Sequence, residues 1–167
     1  MLAAVVLAAG AAERFGSPKQ RLLLPSVLER VRQAGLDEIV VVAGAYELGV
    51  EGQVVHCPEW QRGPGASLRC GLGALPPATQ AAVVVLADGP DLAPQAITRV
   101  TAAWRESGEP LVAASYGGTR GHPLLVAREL WDDVPDEGLR ARGPLLVPCD
   151  DLSPPGDVDY PDELPRL

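Results

Sequence analysis

The sequence predicts an α/β protein whose mostly parallel sheet is covered by helices on both faces. Three observations carry this. Several short runs are almost wholly apolar, as strands buried on both faces are: LAAVVL from Leu2 to Leu7, EIVVVA from Glu38 to Ala43 and AAVVVLA from Ala81 to Ala87. Amphipathic stretches with helical spacing lie between such runs. Glycine or a proline pair ends most segments, at Gly10, Gly35, Gly44, Pro76-Pro77 and Gly108.

In chain order, Leu2 to Leu7 reads as the first buried strand. Ser26 precedes VLERVRQAGL, where Val27, Leu28, Val31 and Ala34 recur at helical spacing, so the first helix is expected there with Gly35 as its stop. Glu38 to Ala43 is the second strand, and Gln53 to His56 a shorter one. Ala66 to Leu75 can form a helix stopped by the proline pair. Ala81 to Ala87 is the strongest strand signal. Pro94 opens a helix from Gln95 to Glu106, and Leu111 to Ser115 is another strand. A glycine-rich loop follows, then PLLVARELWDDV, a short extended piece running into a short helix. Leu145 to Val147 is a late strand, and the tail DVDYPDELPRL is acidic and punctuated by proline.

The 167 residues suit a single domain, 1–167, with a real core. Hydrophobic residues at 47% and charged residues at 22% argue against disorder. A net charge of −8 disfavours a nucleic-acid binder, which needs a basic face, yet permits a local cationic pocket for one small anion. The first apolar run has no basic stretch before it and is too short to span a membrane, so no membrane partner is expected. Cys57, Cys70 and Cys149 form an odd, unpatterned set, which reads as free thiols in a reducing compartment and predicts a cytoplasmic protein.

In parallel sheets, ligands gather outside the carboxyl ends of the strands. Three loops there carry chemistry. The first, AGAAERFGSPKQ, has small residues that let backbone N–H groups approach an anion, and it adds Arg14 and Lys19. On these residues alone it is equally a solvent-facing turn with two surface cations. It matches neither the P-loop nor the G-x-G-x-x-G pattern. GPGASLRCGL, Gly63 to Leu72, holds Ser67 and Arg69, and Ser67 reads either as a helix cap or as a ligand contact. In the second loop, Asp88 follows the strongest strand, where a carboxylate costs desolvation unless paired or metal-bound; it also reads as a cap. The third, YGGTRGHPLLV, carries Arg120, with a planar fork suited to phosphate, and His122, which either orients a ligand or holds the loop.

LAAGxxxRFGxxKQ, read as Leu7 to Gln20, resembles the signature of the MobA-like nucleotidyltransferases, and more closely their molybdenum cofactor cytidylyltransferase branch. The resemblance continues in order through the Gly63 to Leu72 segment, Asp88-Gly89-Pro90, the Gly118 to Pro123 segment and the tail GDVDYPDEL. It implies a three-layer α/β/α sandwich with a mostly parallel, Rossmann-like nucleotide-binding sheet, of the nucleotide-diphospho-sugar transferase type. It implies that Leu7, Ala8, Ala9 and Gly10 wrap a nucleoside triphosphate whose phosphates meet Arg14 and Lys19. Ala9, at the third motif position, favours CTP. Ser67 and Arg69 would recognise the nucleotide, and Arg120 and His122 would lie at the acceptor side. Asp88 would bind Mg²⁺ with a second carboxylate from the tail, Asp157 or Asp159.

The implied reaction moves CMP from CTP onto a phosphorylated acceptor such as the molybdopterin cofactor, with pyrophosphate released and a transient contact with a cofactor-accepting enzyme. A sugar phosphate or other phosphorylated metabolite as acceptor is the alternative, as is a nucleotide-binding protein that delivers a cofactor without turnover. The family's glycine-containing turn after KQRLLLP is missing, Gly89 stands where the family has Met or Gln, Tyr160 replaces the usual threonine of the tail, and the stretch from Glu137 to Pro148 is compressed.

Overall fold

The computed structural model describes residues 1–9, 19–44 and 53–156, with the side chains of residues 19–21 left aside. Seven strands form one sheet in the order β3-β2-β1-β4-β6-β5-β7. They are β1 Leu2–Ala8, β2 Ile39–Ala43, β3 Gln53–His56, β4 Ala81–Leu86, β5 Leu111–Tyr116, β6 Thr119–Ala127 and β7 Leu145–Pro148. All pairs are parallel except those of β6, which runs antiparallel to both β4 and β5.

Alternation along the strands builds two cores. Ala4, Val6 and Ala8 of β1 face α1 (Lys19–Gln33) and α3 (Pro94–Ser107), meeting Leu24, Val27 and Val31 of the first and Ile97 and Val100 of the second. Ala3 and Val5 face the opposite side, with Leu68 and Leu72 of α2 (Pro64–Gly73) and Trp131 of a 3-10 turn, Arg128–Asp133. Apolar residues on both faces explain why β1, β2 and β4 show no polar alternation in sequence. The expected three-layer α/β/α sandwich is the one observed.

Three readings of the sequence change. The first helix begins at Lys19, seven residues before Ser26, and carries Pro25 inside it. Leu23 and Leu24 are buried and continue the stripe of Val27, Leu28 and Val31, so packing overrides the local cost of proline.

The glycine-rich loop after Ser115 is a two-residue hairpin. Gly117 and Gly118 hold φ of 59° and 79°, a left-handed pair that matches strand twist, and Tyr116 pairs with Thr119. Arg120 and His122 therefore stand on β6 and not in a loop.

The expectation of three free thiols is also corrected. Cys57 and Cys70 form a disulfide, and only Cys149 is free and buried. Cys57 leaves β3 and Cys70 stands on α2; side-by-side placement of these two elements, unseen in the sequence spacing, brings the sulfurs together.

Candidate active site at the carboxyl edge of the sheet

β1 and β4 are parallel neighbours, with Leu7 paired to Leu86. The chain that leaves β1 at Ala9 and the chain that leaves β4 toward Asp88 thus start from the same edge. Between them lies a cavity of about 370 Å³ lined by Leu7, Ala9, Trp60, Ser67, Leu86 and Asp88, among others. Ser67 is 4% exposed and sits in the first turns of α2. It is not the cap: Gly63 holds that position, with no side-chain capping bond.

A second cavity, of about 410 Å³, shares Leu7, Pro64 and Leu86 with the first, so the two are parts of one cleft. Arg120, His122, Glu137 and Arg140 stand on its wall with Leu68, Leu124 and Leu139. Burial, and secondarily the charge of Arg120, pushes the His122 pKa down to about 4, so its imidazole is neutral at neutral pH. The Tyr116 hydroxyl donates to the His122 carbonyl at 2.8 Å and holds that part of β6.

The Asp88 loop is clamped from two sides. Arg30 of α1 donates to the Leu92 carbonyl at 3.0 Å. The Asp91 amide donates to the Pro155 carbonyl at 2.9 Å, so residues 154–156 lie across the loop. Gly89 makes this crossing possible: a Cβ there would fall 2.9 Å from the Pro155 Cβ. The family's larger residue at this position has no room, which gives the Asp-Gly-Pro departure a steric reason.

Of the residues expected in the site, Leu7, Ala9, Ser67 and Asp88 line the first cavity and Arg120 and His122 the second. Ala8 is the buried last residue of β1 and is not on either lining. Arg69 points elsewhere. It donates to the Val134 carbonyl at 2.6 Å and pairs with Asp136 at 2.5 Å, fastening the loop that carries Glu137 to α2. Gly10, Arg14, Asp157, Asp159 and the side chain of Lys19 lie outside the described residues.

The sequence reading did not single out Trp60, Gln61, Glu137 or Arg140, which also line the cleft. Trp60 and Gln61 stand directly before the glycine motif at Gly63, which was the available signal. Glu137 and Arg140 carried none, because the fold alone brings that loop to β6.

A cleft at the carboxyl ends of two parallel strands, walled by the start of α2 and by the Asp88 loop, is the ligand site of an open α/β sheet. The chain belongs to the MobA-like NTP transferase domain family, whose model matches residues 4–144, and it is a nucleotidyltransferase. It is similar to Rv0371c of Mycobacterium tuberculosis H37Rv, with 28% identity, a TM-score of 0.78 and coverage of 96% of this chain and 94% of that one. The homologue of that protein from Mycobacterium sp. strain JC1 is 26% identical, with a TM-score of 0.79 and coverage of 96% and 91%. A nucleotidyl transferase from Methanothermobacter thermautotrophicus shares the fold at 21% identity and a TM-score of 0.72, with coverage of 98% and 94%. No curated protein matches the chain.

Proposed function

We propose that this protein is a Mg²⁺-dependent cytidylyltransferase that moves CMP from CTP onto a phosphorylated small-molecule acceptor of the molybdopterin type. The carrying observation is the convergence of Ala9, Ser67 and Asp88 on one cavity at the β1–β4 edge. In this reading, an oxygen of the acceptor phosphate attacks the α-phosphorus of CTP. The bond from that phosphorus to the bridging oxygen breaks, and pyrophosphate leaves. The acceptor phosphate is already ionised, so the step needs no general base.

The protein's task is positioning and charge compensation. Arg14, Lys19 and the backbone from Ala9 to Gly10 are assigned to the triphosphate, and Ser67 to the nucleoside. His122, neutral, offers a hydrogen bond on the acceptor side. Arg69 is assigned no ligand contact, because its guanidinium is engaged by the loop.

Asp88 offers hard oxygen donors at the cavity wall, and Mg²⁺ takes one or two carboxylates together with phosphate oxygens and water, so the donor set fits. The second ligand is assigned to the acidic tail, to Asp157 before Asp159. When bound, the ion would neutralise the charge growing on the phosphate and leaving-group oxygens. A solved structure of Rv0371c contains manganese, which supports a divalent ion here.

No described helix is long and apolar enough to cross a membrane. The cytoplasm follows from CTP as donor; the Cys57–Cys70 bond removes the thiol argument for it.

The test is pyrophosphate release from the four NTPs with Mg²⁺, using molybdopterin and sugar phosphates as acceptors. CTP with the pterin should turn over, and Asp88→Asn should reduce the rate about a hundredfold or more without lowering Tm. Undiminished turnover by the variant would remove Asp88 from the metal site.

A further inference from the structure

The second cavity divides labour between two arginines. The Arg120 guanidinium is engaged by backbone, donating to the carbonyls of Leu139 at 3.1 Å, Arg142 at 2.7 Å and Arg140 at 3.5 Å. These bonds hold the 139–142 turn against β6 and set Arg140 on the cavity wall. Arg140 itself has no carboxylate partner among the described residues. Burial lowers the Arg120 pKa, and the neighbouring charge of Arg140 lowers it further. Two like charges beside one cavity repel unless an anion lies near them.

The remaining lining is selective. Leu68, Val84, Leu86, Leu124 and Leu139 present carbon to the interior. A polyol placed on those carbon atoms would lose the water on its hydroxyls, with polar groups to replace it only at the His122 and Glu137 edge, whereas the face of a flat ring gives up little water there. Glu137 on the same wall opposes a second negative group. With His122 neutral, the cation among the described residues of this wall that can meet an anion without giving up an existing bond is Arg140.

We infer that Arg140 binds the phosphate of the acceptor, with Arg120 as the brace that positions it, and that the acceptor is a phosphomonoester carried on a flat ring body and not on a polyol. The inference rests on the nucleotidyltransferase reading for its assignment of this cavity to the acceptor. It does not rest on the identity of the nucleotide.

Calorimetric titration of the full chain with phenyl phosphate tests it, beside glycerol 3-phosphate and inorganic phosphate. Phenyl phosphate should bind most tightly. Arg140→Ala should weaken it about tenfold or more, as the loss of one charge-assisted contact does, and Arg140→Lys should restore part of the affinity. Arg140 is exposed, so the variants should melt with the wild type. Thermal shift by CTP and Mg²⁺ in the same samples reports the nucleotide site separately.

Absent binding of phenyl phosphate, equal binding by Arg140→Ala, or equal binding of glycerol 3-phosphate overturns the inference. If CTP still raises Tm in that case, the nucleotidyltransferase reading stands. Arg140-dependent binding without any CTP shift would count against that reading and strip the site of its acceptor role.

Discussion

Gly89 shows how one missing side chain shapes a site. The loop that presents Asp88 is overlain by residues 154–156, and the Pro155 ring occupies the space a longer residue would take. Gly89→Met should push that segment off the loop, with a stability loss of about 1–3 kcal/mol from overpacking and a larger fall in kcat than in nucleotide affinity. Steady-state kinetics with a melting curve checks both; a variant with unchanged kcat would separate the segment from the chemistry.

His122 makes a second residue-scale prediction. Its folded pKa of about 4 lies below the ordinary value of 6.5, so between these pH values the unfolded chain holds a proton the folded chain does not. Its contribution is fully present above about pH 6.5 and declines as pH falls toward 4. His122→Gln should flatten this part of the Tm-versus-pH curve. Ser67 and Asp88 were visible at this scale because each stands in a motif near a strand or helix end. Arg69 was not: its partners Val134 and Asp136 lie 65 and 67 residues away, and only the folded chain shows that it braces a loop.

At the scale of elements, the uninterrupted apolar character of β1, β2 and β4 made them legible, because burial on both faces leaves no polar position to confuse the pattern. β6 was read short because its first residues, Thr119, Arg120, Gly121 and His122, are polar or small; antiparallel pairing to β5 and not apolar content holds them in the strand. The start of α1 was hidden by Pro25, which ordinarily signals a helix boundary. That proline cannot donate its helical hydrogen bond, so Pro25→Ala should stabilise the protein by about 1–3 kcal/mol and raise Tm by several degrees. No rise in Tm would mean that the helix is already broken at this point.

The disulfide acts between elements. Cys57 and Cys70 close a loop with a sequence separation of 13, joining the exit of β3 to the helix that carries Ser67. Chain-entropy arguments assign such a cross-link about 3 kcal/mol, so reduction by dithiothreitol or Cys70→Ser should lower Tm by several degrees. Equal melting of oxidised and reduced protein would contradict this.

For the molecule as a whole, strand order decides where chemistry can occur. β1 and β4, 79 residues apart at the Leu7–Leu86 pairing, become neighbours only because β2 and β3 are placed outside β1. That order sets Ala9 and Asp88 on one cavity, and β6, inserted between β4 and β5, brings His122 and the Glu137–Arg140 loop to its other end. The layered architecture was legible from the alternation of apolar runs with amphipathic stretches. The antiparallel insertion that builds the second cavity was not, since the buried half of β6 is as apolar as the parallel strands of the sheet and its reversed direction comes from the Gly117-Gly118 hairpin.

The most direct measurement is a crystal structure with CTP and Mn²⁺, in which anomalous scattering locates the metal. The account predicts a metal peak coordinated by the Asp88 carboxylate and by phosphate oxygens, with the cytidine beside Ser67 and the triphosphate against the loop that leaves β1. A nucleotide bound away from the β1–β4 edge, or a metal that touches the phosphates but not Asp88, would contradict it.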